Sequence, residues 1–191
     1  MITRYDVIVI GTGPAGMAAA THLAGAGLRV IALDEQTEPG GQIWRGVERN
    51  SGTSLATLLG AEYLKGLPAA RAFRESGAAY LSGAQLWQIE PGWTVHVMHR
   101  GRSIALSAER LVMAVGAQER PVPFPGWTLP GVLPVGAAQI ALKSANQIPE
   151  GPVVVAGSGP LPLLYMRQLA IAGGRISAFL DTSPRGGKTR A

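Results

Sequence analysis

Apolar positions along the chain switch between two periods. Tyr5-Asp6-Val7-Ile8-Val9-Ile10 is a β-branched run that ends at glycine, the pattern of a strand buried in a parallel sheet. Gly11-Thr12-Gly13-Pro14-Ala15-Gly16 comes next, and residues 17–24 are rich in good helix formers until Gly25 and Gly27 stop them. Leu28-Arg29-Val30-Ile31-Ala32-Leu33-Asp34 is a second apolar run closed by an acid, so residues 5–34 predict a complete βαβ unit. Residues 35–52 read as loop. Residues 53–76 carry a broken helical pattern, with Leu55, Leu58, Leu59, Leu64 and Leu67 on its apolar side and Pro68 interrupting it. From 78 to 115 the period becomes strand-like. The runs 78–82, 85–90, 93–99, 102–107 and 110–115 are separated by turns such as Glu90-Pro91-Gly92 and Arg100-Gly101. They predict a small antiparallel meander that returns to a core strand over 110–115.

Pro121, Pro123, Pro125, Pro130 and Pro134 make residues 120–134 an extended connector, and residues 135–147 predict a helix. The opening pattern then recurs: an apolar run over 152–156, Gly157-Ser158-Gly159-Pro160, a helical stretch over 161–172, Gly173-Gly174, and a run over 175–180 ending at Asp181. The fold class expected is α/β: a Rossmann-type parallel sheet with an inserted antiparallel β-meander, plus the start of a second Rossmann unit.

Composition narrows the function classes. Hydrophobic residues are 47% and charged residues 15%, enough for a packed core and too little charge for a disordered chain. A length of 191 residues suggests one domain or one and a fraction. The formal charge of +5 invites a nucleic-acid reading. However, residues 1–150 carry twelve basic and eleven acidic side chains, whereas Arg167, Arg175, Arg185, Lys188 and Arg190 face only Asp181 in the last 41. That is a basic end rather than a basic face, and no nucleic-acid partner is expected. Cysteine is absent, which excludes disulfides, Cys-ligated zinc, iron–sulfur clusters and a thiol nucleophile within these residues. No uninterrupted apolar run reaches the ~18 residues of a membrane span. The opening Met1-Ile2-Thr3-Arg4-Tyr5-Asp6 runs straight into a strand with no room for a signal peptide, so the cytoplasm is expected.

The first glycine cluster carries the chemistry. A G-x-G-x-x-G after a strand, opening a helix, with Asp34 closing the next strand 23 residues after Gly11, meets the contextual requirements of a dinucleotide fingerprint. Gly11 permits the tight turn, Gly13 lets a pyrophosphate approach the backbone, and Gly16 lets the helix pack on the sheet. The helix N-terminus offers N–H groups and a positive dipole end to phosphates. Asp34 can accept hydrogen bonds from ribose hydroxyls, and Glu35 is its adjacent rival. NAD and FAD share this fingerprint, so the choice rests on the residues after the acid. There Gly40-Gly41, six residues beyond it, lets backbone pass close to a second part of an extended cofactor.

The succession of glycine fingerprint, acid and Gly40-Gly41-Gln42 resembles the FAD domain of the two-dinucleotide-binding-domain flavoproteins, which include thioredoxin reductase and glutathione reductase. Asp34-Glu35-Gln36 leading to Gly40-Gly41-Gln42-Ile43-Trp44-Arg45, and the long segment from Met113 to Val132 containing Pro123-Phe124-Pro125-Gly126-Trp127-Thr128-Leu129-Pro130-Gly131-Val132, narrow it. They resemble the α (A) subunits of opine oxidase, of hydroxyproline and proline dehydrogenases and of hydrogen cyanide synthase. Val115 stands where Thr is usual and Gln118 where Arg is common. The resemblance extends to about residue 183.

The resemblance implies FAD as cofactor. Gly11, Gly13, Pro14, Ala15 and Gly16 match the pyrophosphate loop, Asp34 and Glu35 the ribose position, and Gly41, Gln42 and Ile43 the strand passing the flavin. Gln85 and Leu86 fall where backbone groups hold adenine, and Ala114 and Gly116 match the A-T-G turn. It further implies an oxidoreductase subunit that passes electrons from C–N bond oxidation of an amino-acid-like substrate through flavin to an external acceptor, partnered by a smaller flavin-containing β subunit. Disulfide reductases of the superfamily need a cysteine pair near the flavin, and none exists here. Gly157 and Gly159 are a candidate second dinucleotide site for NAD(P), although the third glycine position holds Pro162 and a purely structural βαβ copy competes with it.

The expected organisation is an FAD-binding domain over 1–119 lacking its C-terminal return segment, a Pro-rich connector and helix over 120–150, a partial NAD-type βαβ unit over 151–181 and a basic tail over 182–191. The resembling subunits are more than twice as long, so this chain is expected to be a fragment or to be completed by another chain, and Val153–Val155 and Ile176–Leu180 are expected to expose apolar edges. Two other functions stay open: a stand-alone NAD(P)H-dependent flavoprotein reductase and a catalytically silent assembly module. Gly186-Gly187-Lys188-Thr189 hints at a P-loop, but Thr182 stands where that pattern needs glycine. His22, His96 and His99 lack metal-ligand spacing and read as structural, and no metal is expected. Trp44, Trp87, Trp93 and Trp127 read as packing residues. Arg45 faces either a flavin or substrate anion or plain solvent, and no catalytic base stands out.

Overall fold

The structure, a computed structural model, describes residues 2–184. The Gly186–Thr189 stretch and the arginines of the basic tail lie outside the described residues. Two compact units form, one of residues 2–56 and 60–117, the other of residues 57–59 and 118–184.

The first unit is built on one six-stranded sheet. Its strands are β1 (Thr3–Ile10), β2 (Val30–Asp34), β3 (Ala79–Ser82), β4 (Ala84–Glu90), β5 (Thr94–His99) and β6 (Arg102–Met113), in the order β3-β2-β1-β6-β5-β4. β3, β2, β1 and β6 run parallel, and β6, β5 and β4 antiparallel. Ile8, Ile10, Ile31, Leu33, Val95, Val97 and Leu106 form the core of one face. On β1 the alternate residues Val7 and Val9 are also fully buried, so both faces are covered and the strand reads as a continuous apolar run. Helix α1 (Pro14–Gly25) crosses from β1 to β2 and buries Gly16, Met17 and Ala20.

The meander differs from its expected form in two ways. The run at 78–82 is not part of it: β3 pairs parallel with β2, Ile31 opposite Ala79 and Asp34 opposite Ser82. The runs at 102–107 and 110–115 are one strand, β6. No glycine or proline interrupts it, and its polar Glu109 is met across the ladder by Arg4 at 3.3 Å. β6 therefore pairs with β5 along its first half and with β1 along its second, which fuses the meander into the parallel sheet.

Between β2 and β3 lie the short helices α2 (Val47–Asn50), α3 (Ser54–Leu59) and α4 (Ala61–Leu64), then α5 (Gly66–Glu75). The loop expected over 35–52 thus contains a helical turn. Pro68 does not break α5, because it falls in the first turn, where backbone N–H groups lack intrahelical partners in any case. Phe73 of α5 is buried and meets Tyr80 edge-on at 5.3 Å between ring centroids. Trp44 packs on α5 as a structural residue: its indole covers Gly66, and its Nε1 donates to the Glu62 carbonyl at 3.2 Å.

In the second unit, residues 118–134 form turns without helix or strand. Helix α6 (Val135–Ala145), β7 (Val153–Gly157), α7 (Pro160–Ile171) and β8 (Ile176–Asp181) complete it, with β7 and β8 paired in parallel. Gln139 Nε2 donates to Gln168 Oε1 and Lys143 Nζ to Gln139 Oε1, both at 3.0 Å, tying α6 to α7. Val155 is buried, while Val154, Ile176 and Leu180 are exposed.

Candidate dinucleotide site

Three backbone segments converge at the C-terminal end of β1. The Gly11 N–H donates to the Leu33 carbonyl at 2.8 Å, the Gly40 N–H to the Thr12 carbonyl at 2.8 Å, and the Ala114 N–H to the Ile10 carbonyl at 2.8 Å. The loop of residues 11–16, the turn at 40–41 and the end of β6 are thereby held together. This is the end of a parallel sheet at which crevices open for ligands.

The glycines here have separable reasons. Gly11 has φ +92°, and a Cβ on it would run into the Ala114 carbonyl. A Cβ on Gly16 would run into the Gly11 carbonyl and lie 3.3 Å from the Ala114 Cβ. Gly41, at φ +59°, would bring a Cβ within 2.8 Å of the Gly13 Cα. Each is required by the fold. Gly13 is not: at φ −67° and ψ −175° its backbone suits any residue, and a Cβ would make only an ordinary contact, 3.7 Å from the Gly41 Cα. The bare backbone at Gly13 has no cause inside the protein. It sits as N-cap of the twelve-residue α1, followed by Pro14, with no side chain capping the helix and no acid in its first turn. The positive end of the helix dipole and its first N–H groups, including those of Ala15 and Gly16, are left for an anion. A cofactor pyrophosphate fits that place.

Asp34 and Glu35 part company. Asp34 is only 9% exposed; its Oδ2 accepts from both the Thr12 N–H and the Thr12 Oγ1 at 2.6 Å, and its Oδ1 accepts from the Gln36 N–H at 2.8 Å. Glu35 is exposed. The hydroxyl of Tyr80, on β3, is buried nearby. Burial is the main cause that pushes it up to about 12; Thr12 pulls against it, and the Asp34 carboxylate adds a smaller push.

Arg45 Nη1 donates to Gln36 Oε1 at 2.6 Å and Nη2 to Gln42 Oε1 at 3.1 Å, so a half-buried guanidinium links the turn after β2 to the turn after Gly41. The Tyr63 hydroxyl donates to the Arg45 carbonyl at 2.8 Å and accepts from Asn50 Nδ2 at 2.9 Å. Burial holds that phenol above its ordinary range. Ile43 is exposed beside Gln42. The Gly83 N–H donates to the Gln36 carbonyl at 3.0 Å, which places the start of β4 beside the end of β2. There Gln85 is exposed while the Leu86 side chain packs on the sheet core. Gly116 has φ +71°, and a Cβ on it would meet open space. Thr12, fully buried, was invisible as a functional residue in the sequence because it occupies a variable position of the glycine pattern.

The second glycine cluster is different. Gly159 has φ +86° and Gly157 φ +151°, so both are explained by their own backbone, and a Cβ on Gly157 would lie 3.5 Å from the Pro162 ring. His22 lies in the last turn of α1, and His96 Nε2 lies 3.0 Å from Glu90 Oε1. Among the described residues no group of His, Asp and Glu is arranged to hold a metal, and no helix is long and apolar enough to cross a membrane.

Comparison with known proteins agrees with this architecture. The family model described as "Pyridine nucleotide-disulphide oxidoreductase" matches residues 5–177. The A subunit of opine oxidase from Agrobacterium tumefaciens (strain Ach5) is 48% identical over 187 residues, covering 94% of this chain and 37% of the relative. Hydrogen cyanide synthase subunit HcnB of Pseudomonas aeruginosa is 34% identical over 194 residues, covering 96% and 40%. The chain therefore spans about two fifths of the length of these relatives. The crystal structure of L-proline dehydrogenase from P. horikoshii shares the fold, with a TM-score of 0.73 at 22% identity, covering 95% of this chain and 36% of that one.

Proposed function

Because this chain belongs to the pyridine nucleotide-disulphide oxidoreductase family, we propose that its first unit is the FAD-binding part of an amine-oxidising flavoprotein subunit. Gly11, Gly13, Pro14, Ala15 and Gly16 would hold the pyrophosphate, the acids at the end of β2 the ribose, Gln85 and Leu86 the adenine, and Gly41, Gln42, Ile43, Ala114 and Gly116 the flavin side. The observation that carries this reading is Gly13, a glycine that neither its backbone angles nor its neighbours demand. FAD, when bound, supplies the two-electron acceptor that the protein's own side chains lack.

The domain boundaries proposed are those of the sequence: the FAD domain over 1–119, the connector and helix over 120–150, and a partial NAD-type unit over 151–181. The family description includes disulphide chemistry, but these residues contain no cysteine, so no dithiol step is proposed. The similarity to the opine oxidase A subunit, and likewise to HcnB of hydrogen cyanide synthase, supports work within an assembly, partnered by a smaller flavin-containing β subunit. The substrate class is an amino-acid-like compound whose C–N bond is oxidised, and electrons leave to an external acceptor. An NAD(P) role at Gly157 and Gly159 lacks the support that Gly13 provides, since positive φ angles already account for glycine there.

Titration of the purified protein with FAD tests the cofactor assignment. Wild type is expected to quench flavin fluorescence saturably and Gly13→Val to lose that binding. Equal binding by both overturns the placement. Bleaching of bound flavin by an opine or imino acid in the presence of the partner subunit supports the dehydrogenase reading, and bleaching by NADH alone contradicts it.

A further inference from the structure

Arg45 carries a charge that the protein leaves unanswered. Its guanidinium is half-buried, and the oxygens it meets, Gln36 Oε1 at 2.6 Å and Gln42 Oε1 at 3.1 Å, belong to neutral amides. Its Nε is buried without a hydrogen-bond partner. No carboxylate among the described residues pairs with it, whereas Arg49 and Arg74 pair with Glu38 and Glu48. Amide oxygens hold a guanidinium in place but do not neutralise it, and a partly desolvated charge without a counter-ion costs free energy. The residue is also fixed at both ends. The Tyr63 hydroxyl donates to the Arg45 carbonyl and accepts from Asn50, while the two amides set the direction of the guanidinium. The result is a cation held ready in one orientation.

Its place in the cradle says which anion is missing. Gln36 directly follows the acids at the end of β2, and Gln42 directly follows Gly41, whose backbone lies against Gly13. A guanidinium spanning these two amides stands along the stretch between the acids and the glycine loop. In the segments that make the cradle, residues 11–16, 34–36, 40–45 and 114–116, Arg45 is the one basic residue against the two acids Asp34 and Glu35. A pyrophosphate brought beside two carboxylates meets repulsion that the partial charge of a helix end does not offset alone. We propose that Arg45 is a phosphate-recognition residue, whose guanidinium contacts a phosphate oxygen of the bound dinucleotide and counters the acids of the cradle. Each of its Nη atoms keeps a further hydrogen to donate, in the planar fork that suits a phosphate. This rests on the reading that the first unit binds a dinucleotide.

The test is a flavin-fluorescence titration with FAD at low and at high salt, alongside thermal melting of the ligand-free protein. Salt screens a charge contact, so wild type is expected to bind FAD more weakly at high salt. Arg45→Met is expected to lose about tenfold in FAD affinity at low salt and to respond less to salt, so that the two proteins converge at high salt. Arg45→Lys keeps the charge without the fork; its affinity is expected to fall between the two, with the salt dependence retained. Arg45→Gln keeps a donor for the two amides without the charge and is expected to repeat the Arg45→Met result; it decides the matter if Arg45→Met fails to fold. If Arg45 only clips the turns together, Arg45→Met melts lower and weakens FAD by one factor at both salt levels, which overturns the proposal. Unchanged FAD affinity also overturns it, and is the result expected if the guanidinium serves a substrate carboxylate instead. If folded wild type takes up no FAD at either salt level, the dinucleotide reading itself falls, and this assignment with it.

Discussion

Gly13 and Gly16 belong to one glycine pattern but stand in it for different reasons, and replacing each by alanine separates ligand binding from folding. At Gly16 the new methyl group must enter space held by the Gly11 carbonyl and lie 3.3 Å from the Ala114 Cβ, in the interface between α1 and the sheet. Overpacking of this kind costs about 1–3 kcal/mol. In a chain of this size each kcal/mol moves the melting point by about 2–4 °C, so Gly16→Ala is expected to melt about 2–12 °C below wild type. At Gly13 the methyl group would make an ordinary 3.7 Å contact, and the backbone angles need no change. Loss of a glycine N-cap costs about 0.5–1 kcal/mol, while the reduced freedom of the unfolded chain returns about 0.4–1 kcal/mol. Gly13→Ala is therefore expected to melt within about 2 °C of wild type. Its FAD affinity is expected to fall at least tenfold, because the methyl group occupies the approach to the first N–H groups of α1; that corresponds to about 1.4 kcal/mol. Differential scanning fluorimetry without ligand and a flavin-fluorescence titration measure the two effects separately. Wild-type FAD affinity in Gly13→Ala, or a loss of stability equal to that of Gly16→Ala, would refute the reasoning.

Three further outcomes are expected. Burial and the Asp34 carboxylate raise the Tyr80 phenol to about 12 in the folded chain against 10 unfolded, so the unfolded chain releases its proton first. The stability this group contributes is complete below pH 10 and declines as pH rises towards about 12, by at most about 2 kcal/mol, and Tyr80→Phe should flatten that decline in urea melts at stepped pH. Tyr63→Phe takes the donor from the Arg45 carbonyl and the acceptor from Asn50, and is expected to cost about 1–3 kcal/mol in urea denaturation. Phe73→Ala removes a fully buried ring that meets Tyr80 edge-on, and a loss of about 3–5 kcal/mol is expected by the same measurement.

The βαβ unit was legible in the sequence because β1 and β2 are buried on both faces and so are written as apolar runs, with glycines where the chain must turn. The sheet's outer half was less legible. A four-residue strand such as β3 carries no periodicity that distinguishes a parallel partner from a hairpin, and the polar Glu109 reads as a break between two strands until Arg4 is seen beside it. Pro68 shows the limit of residue-level rules, since its effect depends on which turn of the helix it occupies. At the site, the glycines announced themselves, but the sequence alone could not rank Asp34 against Glu35. Their difference lies in burial and in the bonds to Thr12, a residue whose partner is 22 positions away.

The central claim is that the bare backbone at Gly13, at the start of α1, receives the pyrophosphate of FAD. A crystal structure of the FAD-loaded protein tests it most directly. Expected is density for the two phosphates against the N–H groups of Ala15 and Gly16, with the ribose beside the acids Asp34 and Glu35. Phosphates placed elsewhere on the chain, with the backbone at Gly13 facing only solvent, would contradict it.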